Sequence, residues 1–177
     1  MRRLFGAFVK LPGLLLAVLP VVGVVDAALA ADCRTEVRAL LVQSAPAADA
    51  VSAVRQLCTA ASARGEADAS YQLALLDLGP DGWHPERAIP LITQAADAGV
   101  PEAQYWLAWQ QDTGPLLPNN PDESLRWYQA AAAQSHRLAL ARLADAYEFG
   151  ELGLTPAPAR ATELRAQAAQ CAAKSAL

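Results

Sequence analysis

A six-residue pattern recurs along this chain at the period of a helical repeat, and it restricts the fold more than any other feature. The pattern Ala-x-(Tyr/Ala)-x-Leu-Ala starts at Ala69, Ala103 and Ala139, at spacings of 34 and 36 residues. Self-similarity at this period is typical of solenoids whose repeats are pairs of helices. After the first 30 residues the apolar content is mostly Ala and Leu, which favour helix. We therefore predict an all-α solenoid of helix-loop-helix repeats, without strands.

Prolines and glycines between the copies of the pattern indicate where the helices begin and end. Proline is tolerated in a first helical turn because its missing N–H has no partner there, and glycine commonly ends a helix. The predicted first helices of the repeats lie at 67–78, 101–112 and 138–149, and the second helices at 85–98, 121–134 and 158–172. Two earlier helices are predicted at 32–43 and 48–63, within a hairpin over 31–64 that is a cap or a degenerate repeat. Pro90 lies inside a predicted helix, where it predicts a kink or a delayed start.

Residues 1–30 have the form of a secretory signal peptide. Arg2 and Arg3 precede an apolar run over 11–25, and Ala28 and Ala30 supply a small-x-small cleavage motif. The run is shorter than the roughly 20 residues of a membrane span. We expect cleavage after Ala30 and a periplasmic protein; the alternative is an uncleaved N-terminal membrane anchor facing the periplasm. The sequence leaves the general and twin-arginine export routes open.

The residues that follow this segment are acidic, with 11 Lys and Arg against 17 Asp and Glu. A net negative charge opposes binding to nucleic acid and to anionic lipid headgroups. We therefore expect no binding to nucleic acid, and no membrane contact once the signal peptide is removed. The expected oligomeric state is a monomer or a weak dimer.

Export to an oxidising compartment would allow the cysteines to pair. Cys33 and Cys58 lie on the two helices of the N-terminal hairpin, which Pro46 separates. An antiparallel hairpin brings the start of its first helix beside the later part of its second, so we predict a Cys33–Cys58 disulfide. Cys171 lies in the last predicted helix, where we favour a partly buried thiol over an intermolecular disulfide.

Small residues at matching places in the second helices are predicted to let neighbouring helices approach closely. These positions are Ala88, Ala95, Ala96, Ser124, Ala131, Ala132, Ala161, Ala168 and Ala169. Together with Leu73, Leu107 and Leu143 of the first helices they would form the core.

The middle copy of the pattern resembles the Sel1-like repeat, a relative of the tetratricopeptide repeat. The resemblance lies in Ala103-Gln-Tyr-Trp-Leu-Ala, in Gly114, and in the segment that begins Asp122-Glu-Ser-Leu-Arg-Trp-Tyr. Weaker matches begin at Tyr71-Gln-Leu-Ala and Leu143-Ala-Asp-Ala-Tyr. We therefore predict three Sel1-like repeats within 65–177, at about 65–99, 100–136 and 137–173. The loops depart from the family's Gly-x-Gly-Val, which only the last loop approaches.

The resemblance implies a right-handed α/α superhelix whose concave groove binds other proteins. Carried onto this sequence, the groove-lining positions are Tyr71, Leu75, Leu78, Tyr105, Trp109, Asp112, Ala141, Asp145 and Glu148. Such a groove runs from apolar to acidic and suits an extended or helical peptide with hydrophobic anchors and a basic end. The alternative is that the aromatic residues pack against the adjacent helix. Trp127 and Tyr128 resemble the packing residues of the family.

Motifs for catalysis or cofactor binding are absent from the sequence. His84 and His136 lie 52 residues apart without a Cys or second His at metal-ligand spacing, and we interpret each as a solvated or capping histidine. There is no nucleophile elbow, Walker loop or dinucleotide turn. We predict no enzymatic activity, cofactor or metal.

Three functional hypotheses follow from the sequence. The leading one is a non-enzymatic periplasmic scaffold or adaptor that binds a protein partner in its groove, with envelope or exopolysaccharide assembly as its context. The second is a periplasmic regulator that binds and inhibits a membrane sensor protein. The third is a hydrolase of cell-wall or β-lactam material, for which the sequence offers no nucleophile and base.

Overall fold

The computed structural model describes residues 32–174, and the predicted signal peptide lies outside the described residues. This part of the chain contains eight α-helices and no strand. The helices are α1 Cys33–Leu41, α2 Ala48–Ala63, α3 Ala67–Asp77, α4 Pro85–Asp97, α5 Pro101–Asp112, α6 Pro121–Ala133, α7 Arg137–Phe149 and α8 Pro158–Lys174. Each helix packs against the next along the chain, and α1 also packs against α3. The predicted all-α helical solenoid is confirmed.

The prolines mark helix starts as predicted. Four helices, α4, α5, α6 and α8, begin at a proline. The helices α2 and α5 match their predicted bounds, and the other ends differ by at most two residues. The delayed start predicted from Pro90 does not occur, because α4 begins at Pro85 and continues through Pro90, which lies on its exposed side.

Three second helices, α2, α4 and α6, end in the same backbone turn. In each, the N–H of the residue after the turn donates to a carbonyl five residues earlier: Glu66 to Ala61 at 3.2 Å, Val100 to Ala95 at 2.9 Å, and His136 to Ala131 at 3.1 Å. The residue before each donor has a positive φ, at Gly65, Gly99 and Ser135. This is the left-handed turn that commonly ends helices, and it directs the chain into the next first helix.

The buried side chains form two clusters. A central cluster draws on α3 to α8 and contains Leu107 and Leu143. An N-terminal cluster draws on α1, α2 and α3, contains Leu73, and surrounds the Cys33–Cys58 disulfide, whose Cα atoms are 5.1 Å apart. The predicted disulfide is therefore present.

Most of the predicted small residues are buried, but two positions differ. Ala132 is half-buried and Ala169 is exposed, whereas its neighbour Ala168 is buried. Successive helical residues point about 100° apart, so α8 can bury only one of this pair against α7. No helix follows α8 within the described residues to cover Ala169. The prediction of Ala169 as a core residue was wrong.

Replacing Ala108 with leucine is expected to destabilise the protein by about 1 to 3 kcal/mol, because extra methylenes overpack a filled contact. Ala108 is fully buried, and its carbonyl accepts a hydrogen bond from Ser124 Oγ of α6 at 2.8 Å. Urea denaturation followed by circular dichroism measures the change. Ala169→Leu is the control and should stay within about 0.5 kcal/mol. Equal midpoints for the two variants would contradict the assignment of Ala108 to the core.

Candidate protein-interaction surface

The residues predicted to line the groove lie on α3, α5 and α7 and at Leu78, directly after α3, and we call this set the first-helix face. It consists of Tyr71, Leu75, Leu78, Tyr105, Trp109, Asp112, Ala141, Asp145 and Glu148. Trp109 is its most prominent member, with 41% of its surface exposed. On the opposite side of the same helix Ala103, Leu107 and Ala108 are buried. The structure therefore leaves a large indole partly uncovered on a helix whose inner side is filled.

The α3 part of the face is half-buried. Tyr71 and Leu78 pack against the central cluster, and Leu75 packs against the N-terminal cluster. Burial, with the carboxylates of Glu102 and Asp68 nearby, raises the pKa of Tyr71 to about 12. Its hydroxyl therefore stays protonated at neutral pH.

Tyr105 packs against other residues of its own repeat instead of standing free on the face. Its ring stacks on His136, with centroids 4.7 Å apart, and lies 5.8 Å from the ring of Tyr128. His136 caps α7, because its Nδ1 accepts the Ala139 N–H at 3.3 Å. Trp127 and Tyr128 are buried in the central cluster. Packing against adjacent elements, which the sequence left open, is the observed role of Tyr105.

Asp112, predicted to line the groove, lies in a buried ion pair and so offers no free carboxylate there. Arg142 of α7 donates to its two carboxylate oxygens at 2.7 and 3.2 Å, and the Tyr128 hydroxyl donates at 3.3 Å. The Asp112 side chain is only 9% exposed. Arg142 also pairs with Glu151 at 2.5 Å.

The two remaining acids of the face are paired as well. Arg165 of α8 donates to Asp145 at 2.9 Å and also to Glu148. The predicted change from apolar to acidic along the groove did not take Arg142 and Arg165 into account, and these two arginines neutralise the acidic end. A partner with a basic end finds few unpaired carboxylates there.

A third ion-pair network, which the sequence reasoning missed, joins the first turns of three helices. Arg34 of α1 donates to Asp68 of α3 at 3.1 Å and to Glu102 of α5 at 3.0 Å. The three residues are spaced by 34, the period of the repeat. Extending the repeat frame to α1 would have aligned them.

Exposed apolar side chains beyond Trp109 were also not singled out from the sequence. They are Leu41, Val42, Trp83, Leu138 and Phe149. Leu41 ends α1 and Phe149 ends α7, while Trp83 lies in the loop between α3 and α4. Their exposure depends on which neighbours cover each position, which a periodic pattern does not specify.

Comparison with protein-family models gives two matches to the Sel1 repeat, at residues 101–136 and 137–172. These ranges contain α5–α6 and α7–α8. Among solved structures, a Sel1 repeat protein from Oxalobacter formigenes is similar at 28% identity and a TM-score of 0.60, over 64% of this chain and 86% of that one. The chain therefore contains two Sel1 repeats.

A second solved structure has the same fold as this Sel1-like repeat protein. It is c5321, a protective antigen present in uropathogenic Escherichia coli strains that displays an SLR fold, similar at 23% identity and a TM-score of 0.62 over 78% of this chain. The present chain spans only 30% of that protein, and the likeness shows the fold alone. No curated protein matches the sequence.

Sel1 repeats are generally protein-interaction scaffolds and typically non-catalytic. In this Sel1-like protein, His136 is a helix cap and His84 lies at the start of α4, 3.5 Å from Glu86. Residues 32–174 contain no group of three His, Cys, Asp or Glu side chains placed to hold a metal ion. In the same range, no helix is long and apolar enough to cross a membrane.

The stability of this Sel1-like protein is expected to fall as the pH drops below the unfolded histidine pKa of about 6.5. Burial lowers the pKa of His136, Arg137 lowers it further, and Glu102 opposes the shift. The pKa of His136 is lower in the folded protein than in the unfolded chain. The neutral ring therefore contributes its full stabilisation above about pH 7, and this stabilisation is lost as the pH falls. Protonation of Nδ1 removes the α7 cap, which is typically worth about 1 kcal/mol.

His136→Asn is the matched control, because asparagine caps a helix without titrating. Urea melts at about pH 7.5 and about pH 5.5 should show wild type losing about 1 kcal/mol relative to this variant. Parallel losses in the two proteins would contradict the role of His136.

Proposed function

We propose that this protein is a non-enzymatic scaffold that binds a protein partner through the first-helix face, centred on Trp109. The observation that carries the proposal is the exposure of Trp109. Its side chain leaves 41% of its surface exposed, although the opposite side of α5 is buried in the core. Tryptophan is enriched among the residues that dominate binding energy at protein interfaces. A partner that covers this indole would bury a large apolar area without disturbing the fold.

The other tryptophans of the two matched repeats support this assignment by contrast. Trp127 is buried in the central cluster, and Trp106 is half-buried against it. Both side chains have packing roles that explain their presence. Trp109 is the most exposed of the three tryptophans. A role as a binding anchor is the simplest physical explanation for this exposure.

The proposed site of action is the periplasm. The Cys33–Cys58 disulfide fits an oxidising compartment. The apolar segment before it has the form of a cleavable signal peptide, which remains a prediction from the sequence. We propose envelope or exopolysaccharide assembly as the context in which the scaffold binds its partner.

The test places a photo-crosslinking amino acid at position 109 of the full chain in its native host. Position 83 is the control, because Trp83 is exposed but lies in the loop between α3 and α4 and not on a first helix. We expect a discrete adduct at 109 and not at 83, identified by mass spectrometry and reconstituted as a binary complex from the purified proteins. Adducts of equal yield at both positions, or none at 109, would refute the proposal.

A further inference from the structure

A cavity of about 310 Å³ lies between the last three helices. Its floor is formed by Leu140, Leu143 and Tyr147 of α7. Its walls come from α6 and α8, which both pack against α7. None of its lining residues belongs to the first-helix face, so the cavity is a separate feature of the molecule.

Three helix pairs, α3–α4, α5–α6 and α7–α8, share one backbone contact. In each pair the residue before the second helix donates its N–H to a carbonyl of the first helix: His84 to Asp77 at 2.7 Å, Asn120 to Gln111 at 2.8 Å, and Ala157 to Tyr147 at 2.7 Å. Asp77 and Tyr147 are therefore equivalent positions. Arg87 and Arg160 are equivalent as well, because each is the third residue of a second helix that begins at a proline.

The pair α3–α4 shows what an arginine at this position binds. Arg87 donates to the carboxylate of Asp77, whose side chain is only 2% exposed, and Arg55 donates to the same oxygen at 2.6 Å. In the pair α7–α8, the residues Tyr147 and Arg160 line the cavity together. The pair α7–α8 therefore keeps the arginine but has a phenol in place of the carboxylate.

The charges around Arg160 leave room for an anion. Within residues 32–174, the ion pair of Arg160 is with Glu163, one turn along α8, at 2.8 Å. These side chains are 50% and 61% exposed, and exposed pairs of this spacing are weak because water screens them. The first turn of α8 holds no acidic residue, and the helix macrodipole makes this end electropositive. An anion that displaces Glu163 from the guanidinium therefore sacrifices little.

The rest of the cavity determines the body of the ligand. Leu140, Leu143 and Leu164 are each no more than 4% exposed and supply apolar surface, while Gln129 and Gln167 add amide groups. The volume lies at the lower end of the range for small-molecule sites. It holds about 10 non-hydrogen atoms at the ~30 Å³ that one water molecule occupies in the liquid. This composition favours a compact apolar body with one polar end.

We propose that the cavity between α6, α7 and α8 binds a small monocarboxylate whose apolar body has about eight carbons. The carboxylate pairs with Arg160 in the way that Asp77 pairs with Arg87, and the apolar body covers the leucines of the cavity. The inference goes beyond the proposed function, because it assigns a small-molecule ligand to residues outside the first-helix face.

Isothermal titration calorimetry of the purified protein with sodium octanoate tests the site, and octan-1-ol is the uncharged control of equal chain length. Octanoate should bind at least about tenfold more tightly, since only the carboxylate pairs with the guanidinium. Raising NaCl from about 0.05 to 0.5 M should weaken octanoate and leave octan-1-ol unchanged. Nuclear Overhauser effects from bound octanoate to the ring protons of Tyr147 locate the ligand.

Four variants separate the carboxylate from the cavity. Arg160→Gln should weaken octanoate about tenfold and octan-1-ol less than about twofold, whereas Glu163→Gln should strengthen octanoate by removing the competing carboxylate. Ala133→Leu should weaken octanoate at least about tenfold, because Ala133 lines the cavity and the larger side chain occupies it. Arg64→Gln is the matched control, since Arg64 forms an exposed pair with Glu66 at the end of α2, and it should change affinity less than about twofold. Circular dichroism checks that helix content is retained.

The proposal is overturned if octanoate shows no saturable binding, if octan-1-ol binds equally well, or if Arg160→Gln and Arg64→Gln have the same effect. Overhauser effects confined to residues outside the cavity also overturn it. These outcomes leave the crosslinking result at position 109 unaffected, so the failure of this site and the failure of the proposed function are distinguishable.

Discussion

Replacing Asp77 with alanine is expected to lower the free energy of unfolding by about 3 kcal/mol, because it leaves two arginines facing an emptied carboxylate site. The Asp77 side chain is only 2% exposed and accepts from Arg55 of α2 at 2.6 Å and also from Arg87 of α4. It therefore joins three helices through one buried group. Both arginines keep contact with solvent, so the expected cost lies at the lower end of the range for breaking a buried pair.

Asp81→Ala is the matched control for this change. Asp81 contacts the same two arginines, but its side chain is 37% exposed, and exposed ion pairs contribute at most about 1 kcal/mol. Urea denaturation of both variants measures the difference. A similar small loss for both would show that the burial of Asp77 does not determine its contribution.

Removing the Cys33–Cys58 disulfide is expected to cost about 3 kcal/mol, since the bond closes a 25-residue segment and restricts the unfolded chain. The two cysteines lie in the N-terminal cluster, where Cys58 is fully buried. Alanine at both positions removes the bond while keeping small apolar side chains.

Reductant supplies the control for the disulfide. Wild type measured in dithiothreitol should fall to the stability of the double-alanine variant, and the variant itself should not respond. If wild type keeps its full stability after verified reduction, the disulfide contributes little and local packing holds α1 against α2.

The repeat period and the prolines made the fold predictable. A spacing of 34 to 36 residues defines a two-helix unit, and proline restricts where a helix can start, so both signals act locally in the chain. The disulfide followed from the hairpin that these signals define. Some helix ends still differed from the prediction, by at most two residues, because the exact end depends on the detailed capping turn.

The chemistry of the face was less predictable, because it depends on which helix supplies a counter-charge. Asp112 was predicted to line the groove, yet Arg142, thirty residues later, forms an ion pair with it. Arg165 does the same for Asp145 and Glu148 from the following helix. Periodicity within one helix identifies an outward position but not a side chain that reaches it from another helix. Trp109, predicted to line the groove, keeps 41% of its surface exposed.

The central claim is that Trp109 anchors a protein partner. Its most direct test is the dissociation constant of the reconstituted complex for Trp109→Ala, compared with Trp83→Ala as an exposed control. We predict at least a tenfold loss of affinity for Trp109→Ala, or about 1.4 kcal/mol, and less than about a twofold change for Trp83→Ala. Unchanged affinity for Trp109→Ala, or equal losses for the two variants, would contradict the account.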